Sequence, residues 1–326
     1  MGRYGGMRRP VSGRVRGWVL LIVSNFAFAG AYVTGKFALT AVSPVTLNML
    51  RFTLASLVLL PIVIRSRRQL RMDRRDLLTF VSVSLLSFVL NKLFEYLGVN
   101  LSTASDSALL ISVEGILTAV LSWVVLRERA TWLHGAMLVL GAFGAYLIIE
   151  RGFAPRVDAG GGSVDRRIVG DALFLLSLCF EAVASVISKR LAGRFSPLVV
   201  TAATVVGSLA VWIPAGGVDI GLHGLRLTWL AGGGVVYLAL IVTVVGYFCW
   251  FAGLQVIDGS SAAITLFLQP LLGTLLAIIL LGETLSPFTL LGGGCILLSV
   301  WVISRYGAGR RTKTAEDAIL LPLETL

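Results

Sequence analysis

Charged side chains inside long apolar segments are the first candidates for chemistry in this sequence. Glu114 and Glu181 each lie near the middle of such a segment, and Lys92 and Glu95 lie three residues apart in another. A charged group at the centre of a bilayer costs roughly 2.5–3.5 kcal/mol on insertion scales, so it is expected to face protein or water. An amine together with carboxylates can bind both ends of a zwitterion, and a buried carboxyl group can also carry a proton.

Polar side chains on helical spacing share a face with these charges. Thr118 lies four residues after Glu114, and Ser185 lies four residues after Glu181, so each pair occupies one face of its helix. Other apolar segments contribute amide and aromatic candidates. The predicted substrate or proton site comprises Glu114, Glu181, Lys92, Glu95, Asn25, Tyr32, Thr118, Ser185, Tyr247, Trp250 and Gln269.

Structural roles stay open for several of these residues. The two mid-segment carboxyl groups can instead hydrogen bond to a neighbouring helix, and the Lys–Glu pair can simply neutralise itself. The aromatic candidates fit core packing or interfacial anchoring as well as a wall beside a substrate. Arg51, inside another apolar segment, is expected to snorkel or to brace the bundle.

Histidines and cysteines indicate neither a metal site nor a cofactor. His134 and His223 are the only histidines, and the three cysteines lie singly in apolar segments without the spacing of metal ligands. We therefore expect no metal, no cofactor and no catalytic residue. An intramembrane enzyme stays an alternative, but it would need a His/Asp pair or a metal cluster near a membrane face.

The composition explains why the charges are so sparse. Apolar residues make up 56% of the 326 positions, charged residues make up 14%, and the mean hydropathy is +0.89. A soluble domain carries about 25% charged residues, so the solvent of this chain must be largely lipid. The net charge of +11 lies in short runs between apolar stretches, which is typical of loop anchors and not of nucleic-acid binding.

Ten segments approach the length of a membrane-spanning helix, which is about 20 mainly apolar residues. The chain is therefore predicted to be an all-α integral membrane protein with ten transmembrane helices. The predicted segments are Gly17–Phe37, Pro44–Ile64, Leu77–Leu97, Thr103–Leu126, Trp132–Ile149, Gly170–Ser188, Pro197–Pro214, Thr228–Leu254, Ser260–Leu281 and Pro287–Ser304.

The distribution of basic residues predicts the orientation. If both termini are cytoplasmic, 20 of the 28 Lys and Arg residues lie on the cytoplasmic side and six on the other, as the positive-inside rule requires. We expect a multi-pass protein of the cytoplasmic (inner) membrane.

The two halves of the chain repeat each other. Lys36 recurs as Lys189 at an offset of 153 residues, and Glu128 recurs as Glu283 at an offset of 155. Glu114 matches Gln269 at that second offset. Five helices per half make the repeats inverted, an architecture of many secondary transporters. The predicted domains are a basic cytoplasmic tail (1–16), a first repeat (17–149), a flexible linker (150–169), a second repeat (170–304) and a C-terminal tail (305–326).

The motifs around these positions resemble the EamA-type members of the drug/metabolite transporter superfamily over nearly the whole chain. They read Ser-Asp-Ser-Ala, Val-Glu-Gly and Leu-Arg-Glu-Arg from Ser105 to Arg129, and Ser-Ser-Ala-Ala, Leu-Gln-Pro and Leu-Gly-Glu-Thr from Ser260 to Thr284. Gly115 departs from the family pattern, which usually has a proline there, whereas Pro270 keeps it. The resemblance implies a central cavity between two five-helix halves, lined mainly by helices one, three, four, six, eight and nine, and it favours export.

Together these features predict a secondary transporter that moves a small polar or zwitterionic metabolite by alternating access. Proton coupling is a hypothesis, and both a monomer and a homodimer through the Gly-rich outer helices stay open. A non-transporting scaffold or receptor is the main alternative function.

Overall fold

The computed structural model describes residues 11–66, 72–101, 110–126, 128, 131–150, 164–192, 194–273 and 287–306. These residues are almost entirely helical, and no strand is found among them. The predicted linker and both tails lie largely outside the described residues. The helices are α1 (Val11–Ala29), α2 (Ala31–Leu39), α3 (Pro44–Ser66), α4 (Arg74–Val83), α5 (Asn91–Leu101), α6 (Ser112–Val125), α7 (Trp132–Glu150), α8 (Val164–Ser188), α9 (Pro197–His223), α10 (Trp229–Tyr237), α11 (Tyr247–Leu254), α12 (Gly259–Thr265) and α13 (Pro287–Tyr306).

Five stretches within the described residues are long and apolar enough to cross a membrane. They are Pro44–Ser66, Arg74–Leu101, Ile168–Leu191, Pro197–His223 and Trp229–Leu254. Three shorter apolar helices accompany them: Val113–Val125, Trp132–Leu147 and Leu290–Tyr306. The chain is therefore a multi-pass membrane protein, and the count of ten spans stays a prediction.

Two of the five spans contain a π-helical segment. The first, π1 (Ser84–Leu90), joins α4 to α5, and the second, π2 (Leu238–Gly246), joins α10 to α11. Their first residues lie 154 positions apart, close to the repeat offset of the sequence. A π-helical turn is rare and occurs frequently at functional sites, because the wider turn displaces the side chains that follow it. The two segments are equivalent positions of the two repeats.

The first predicted segment is interrupted at Gly30, between α1 and α2. The Tyr237 hydroxyl, on α10, donates a hydrogen bond to the Ala27 carbonyl at 3.1 Å. A β-carbon at Gly30 would overlap the same hydroxyl oxygen. Insertion of a side chain into the backbone ladder is a recognised cause of helix breaks. The break therefore depends on a tyrosine from the other half of the chain.

The ninth predicted segment is also interrupted, and here the cause is local. Helix α12 ends at Thr265, Leu266 and Phe267 form a turn, and residues 268–273 are again helical. Pro270 has no N–H to donate to the carbonyl of Leu266, so a continuous helix is disfavoured at this point. Gly115, the corresponding departure from the family pattern, lies within the uninterrupted helix α6. Its role is close packing, since a β-carbon there would lie 3.0 Å from the Ala263 carbonyl oxygen.

Helices pack in pairs that relate the two repeats. Helix α3 packs on α9, α6 on α12 and α7 on α13, so three elements contact their own repeat equivalents. Two further contacting pairs, α5–α8 and α1–α11, are converted into each other when the two repeats are interchanged. This pattern is the one that a twofold axis between the repeats produces.

The pair of α7 and α13 provides a direct test of this packing. A β-carbon at Gly144 would lie 2.6 Å from the Gly292 carbonyl oxygen, whereas one at Gly135, on the same helix, meets no atom within 4 Å. We expect Gly144→Ala to cost about 1–3 kcal/mol through overpacking. Gly135→Ala should be neutral or slightly stabilising because alanine favours helix. The measurement is the unfolding temperature of detergent-solubilised protein, and equal values for the two variants would contradict this helix contact.

Candidate transport site

The centre of the site is an ion pair that directly follows the first π-helical segment. Lys92 and Glu95 on α5 are both buried, and the Lys92 ammonium group donates to the Glu95 carboxylate. The Lys92 Nζ atom also lies 5.9 Å from the centre of the Tyr247 ring, which begins α11 directly after π2. The two π-helical segments thus place a cation and an aromatic ring from opposite repeats against each other.

A third buried charge comes from α8 in the second repeat. The Ser87 hydroxyl, within π1, donates to a Glu181 carboxylate oxygen at 2.6 Å. The Asn91 side-chain amide donates to the Ser177 carbonyl at 2.9 Å, one turn earlier on α8. These two bonds hold α8 against π1, and they place Glu181 within electrostatic reach of Lys92 and Glu95.

Glu114 supplies a third carboxyl group. It lies in the first turn of α6, is 7% exposed, and interacts electrostatically with Glu181, Lys92 and Glu95. Thr118, one turn further along α6, is buried as well, and its hydroxyl has no hydrogen-bond partner among the described residues. The central charge cluster, defined as Lys92, Glu95, Glu114 and Glu181, therefore draws on both repeats.

Arg51 belongs to the same buried region, although sequence reasoning placed it outside the site. It is 0% exposed, so it does not snorkel. Its Nε atom donates to the Thr243 hydroxyl at 2.7 Å, and its Nη1 atom donates to the Tyr96 hydroxyl at 3.0 Å. Thr243 is part of π2 and donates in turn to the Leu238 carbonyl at 2.8 Å. Arg51 therefore braces α3 against both spans that contain the π-helical segments.

A separate polar contact joins the first helix to the ninth predicted segment. The Asn25 side-chain amide donates to the Thr265 hydroxyl at 3.0 Å, and the Gln269 amide donates to the Asn25 side-chain oxygen at 3.2 Å. The sequence predicted Asn25 and Gln269 for the site, and the structure brings these two side chains together. The turn at Leu266–Phe267 lies between the two residues that contact Asn25.

The aromatic candidates divide into two groups. The Tyr247 ring packs among Phe28 and Phe88, with ring centres 5.2 Å and 4.5 Å away, and it also faces Lys92. Trp250 is buried in the main hydrophobic core, which fits its alternative role in packing. The Tyr32 side chain lies outside the described residues. Ser185 is buried on α8, one turn after Glu181.

Glu128 and Lys189, which the sequence singles out as repeated positions, form a specific arrangement at the loop end of α6. The Lys189 ammonium group donates to Glu128 at 2.8 Å, and the backbone N–H groups of Gly259 and Ser260 donate to the same carboxylate. The repeat singles out both residues, because each recurs at a repeat offset, but it does not indicate which groups they contact.

Two carboxyl groups at this end of the bundle have lowered pKa values. Burial alone raises the pKa of Glu128, but Lys189 and the hydrogen bonds from Ser260 and Gly259 outweigh it and hold the pKa below the ordinary range. Burial likewise opposes ionisation of Asp258, yet the nearby His134 ring, with its Nε2 atom 3.8 Å from a carboxylate oxygen, and hydrogen bonding from Ser261 bring its pKa well below the usual value. Both groups are anionic at neutral pH, so their stabilising contribution is lost only as the pH falls through these lowered values.

Comparison with known proteins defines the class of protein. Residues 15–150 and 168–305 each match the EamA-like transporter family. The chain therefore belongs to this family and carries its two-repeat architecture, which confirms the resemblance to EamA-type members of the drug/metabolite transporter superfamily.

Particular relatives carry the names of transporters and not of enzymes. An uncharacterized transporter of Archaeoglobus fulgidus is 25% identical over 88% of this chain and 98% of its own. A probable terminal-alkyne amino-acid exporter of Streptantibioticus cattleyicolor is 24% identical over 90% and 95%. An S-adenosylmethionine/S-adenosylhomocysteine transporter of Chlamydia muridarum is 23% identical over 87% and 90%. One solved crystal structure shares the fold, with a TM-score of 0.70 over 93% of this chain and 99% of its own at 19% identity.

The Lys92–Glu95 pair generates a stability prediction. We expect Lys92→Met to lower the free energy of unfolding by about 3–5 kcal/mol, because it leaves a buried carboxylate without its partner. The double variant Lys92→Met/Glu95→Gln, which removes both charges, should recover more than half of that loss. The measurement is a double-mutant cycle of thermal unfolding in detergent. A double variant that is as unstable as the sum of the two single variants would show that the residues are not coupled.

Proposed function

We propose that this protein is a secondary transporter that moves a small polar or zwitterionic organic metabolite out of the cell across the cytoplasmic membrane. The observation that carries the proposal is the central charge cluster, in which one amine and three carboxyl groups from both repeats lie buried together. A fold alone would place apolar side chains there, because burying charge is costly in a low dielectric.

The charges favour a zwitterion over a simple ion. The Lys92 ammonium group can bind a substrate carboxylate, and the carboxyl groups of Glu114 and Glu181 can bind a substrate amine. The Tyr247 ring beside Lys92 offers an apolar surface for the rest of the molecule. The names of two relatives support the same class, since one is a probable terminal-alkyne amino-acid exporter and the other an S-adenosylmethionine/S-adenosylhomocysteine transporter.

Alternating access is the mechanism we propose for this movement. The twofold pattern of helix contacts and the equivalent positions of π1 and π2 support inverted repeats that rock about the central cluster. The excess of Lys and Arg in alternate loops supports cytoplasmic locations for both termini. The predicted domain boundaries, 17–149 and 170–304, assign one rocking unit to each repeat.

A non-transporting scaffold or receptor is the second candidate function, and a flux assay separates the two. Inside-out vesicles that contain the protein are tested for uptake of a panel of radiolabelled amino acids and amino-acid derivatives. Saturable uptake of at least one zwitterionic compound, absent from vesicles without the protein, is expected. If no compound in the panel shows protein-dependent flux and a protein partner co-purifies instead, the scaffold function is favoured.

Proton coupling through Glu114 makes a separate prediction. Glu114→Gln should abolish accumulation driven by a pH gradient while it leaves exchange of labelled for unlabelled substrate, because an amide can hydrogen bond but cannot carry a proton. The matched control is Asp73→Asn, which alters a carboxyl group at the start of α4 with a side chain 56% exposed. Full accumulation by Glu114→Gln under the pH gradient would show that the proton uses another route.

A further inference from the structure

Glu128 lies away from the central charge cluster, at the loop end of α6, and it joins the two repeats. We propose that Glu128 is a positioning residue of the transport cycle: its carboxylate holds the cytoplasmic end of the helix bundle closed and must leave α12 when that end opens. This inference rests on the proposed alternating-access function and on the proposed orientation. It adds a specific contact that has to break in each cycle.

Four hydrogen bonds converge on the Glu128 carboxylate. They come from Lys189 Nζ at 2.8 Å, the Gly259 N–H at 2.8 Å, the Ser260 N–H at 3.0 Å and the Ser260 hydroxyl at 2.9 Å. An ionised carboxylate has about four acceptor positions, so these donors satisfy it without any group from its own repeat. Lys189 follows α8, and Gly259 begins α12, so one side chain ties together the ends of three helices.

The helices are in close contact at this same end. A β-carbon at Gly259 would overlap the Ser122 hydroxyl oxygen of α6 and would lie 3.2 Å from the Ser122 β-carbon. One turn deeper, the Ala263 carbonyl lies against Gly115. A polar metabolite cannot pass between α6 and α12 while these contacts persist. The Glu128 contact therefore coincides with a closed end of the path between repeats.

Other polar contacts at this end are weaker or local. Arg194 also reaches across the repeats to Asp76, whose carboxylate is buried, but the Arg194 side chain is 55% exposed, so water and salt screen this pair more than the Glu128–Lys189 pair. Asp258 accepts from the Ser261 N–H at 3.0 Å within its own segment, and its contact with the first repeat, to His134 Nε2, is 3.8 Å long, beyond hydrogen-bond distance. The Glu128–Lys189 pair is mostly buried, with side chains 16% and 15% exposed.

A hydrogen-bonded charge suits a contact that must open repeatedly. When a carboxylate and an ammonium group separate, water can replace their partners, whereas separation of apolar surfaces would expose them to solvent. The sequence repeats both partners, since Glu283 and Lys36 occupy the equivalent positions. In an inverted repeat those positions belong to the opposite side of the membrane. Each side therefore has one such pair of residues, as a cycle that closes the two sides in turn requires.

The first test measures how accessible this end is from the cytoplasmic side. In a background without Cys179, Cys249 and Cys295, a reporter cysteine replaces Ser188, which is buried on α8 beside Lys189. A membrane-impermeant maleimide is applied to the cytoplasmic face. Glu128→Gln should raise the labelling rate about tenfold, the factor expected when a charge-assisted hydrogen bond is lost.

The matched control for this test is Asp258→Asn, which removes a carboxylate at the start of the same helix but leaves the four hydrogen bonds of Glu128. Its labelling rate should stay within about twofold of the parent, because asparagine caps a helix as well as aspartate does and the 3.8 Å contact with His134 is too long for a hydrogen bond. The role of Glu128 is overturned if folded Glu128→Gln protein labels at the parental rate, or if Asp258→Asn raises labelling equally.

A disulfide provides the second test and keeps Glu128 unchanged. Because a β-carbon at Gly259 would lie 3.2 Å from that of Ser122, the pair Ser122→Cys/Gly259→Cys is close to disulfide geometry. Oxidation should stop substrate exchange, and a reducing agent should restore it. The single-cysteine variants should not respond to the oxidant. Undiminished exchange by fully cross-linked protein would show that this end does not need to open.

The two proposals fail in different ways. Labelling of the reporter cysteine needs no substrate and no flux, so unchanged labelling in Glu128→Gln overturns the role of Glu128 alone. Absence of substrate flux in the unmodified protein, with every compound of the panel, overturns the proposed transport function.

Discussion

The structure depends on one constraint, which is that charge buried in a membrane must be compensated inside the protein. Lys92 and Glu95 satisfy each other, and Glu181 is satisfied in part by a serine from another span. The central charge cluster contains three carboxyl groups and one amine, so the amine can neutralise only one of the carboxyl groups. Such an arrangement is a poor means of holding helices together, since apolar side chains would do so at lower cost. It is a suitable means of receiving a polar solute for a short time.

Positioning of this cluster depends on the relation between the repeats. The two π-helical segments occupy equivalent positions, and each is followed by a residue of the site: Lys92 is the second residue after π1, and Tyr247 is the first after π2. Arg51 bonds to Thr243 within π2 and to Tyr96 on α5, so it fixes the two spans relative to each other. The unusual backbone and the buried guanidinium group thus have a common consequence, which is the approach of Lys92 to Tyr247.

Much of this arrangement could be predicted from residue types and spacing. Helical periodicity placed Glu114, Glu181 and Lys92 on inward faces because lipid excludes charge, and the structure brings them into one region. The functional roles of these residues stay predictions. The repeat offsets indicated the two-repeat architecture, and membership of the EamA-like family shows it.

Contacts between distant parts of the chain could not be predicted in the same way. The break at Gly30 requires the hydroxyl of Tyr237, and nothing in the local sequence indicates that partner. Likewise, a glutamate in a short loop gives no sign that it will accept hydrogen bonds from Gly259 and Ser260, more than a hundred residues later. Pro270 is the contrasting case, because its effect on the helix is intrinsic to the residue.

A transport measurement on a folded variant separates the structural role of the central charge cluster from its role in substrate binding. Purified Lys92→Met/Glu95→Gln protein, reconstituted into liposomes, is compared with the unmodified protein for exchange of a labelled zwitterionic substrate. If the cluster binds the substrate, the double variant stays folded and monodisperse while its exchange rate falls by at least about tenfold, the effect of losing one charge-assisted substrate contact. Exchange at the unmodified rate would show that the cluster does not bind the substrate and would make the buried ion pair a purely structural feature.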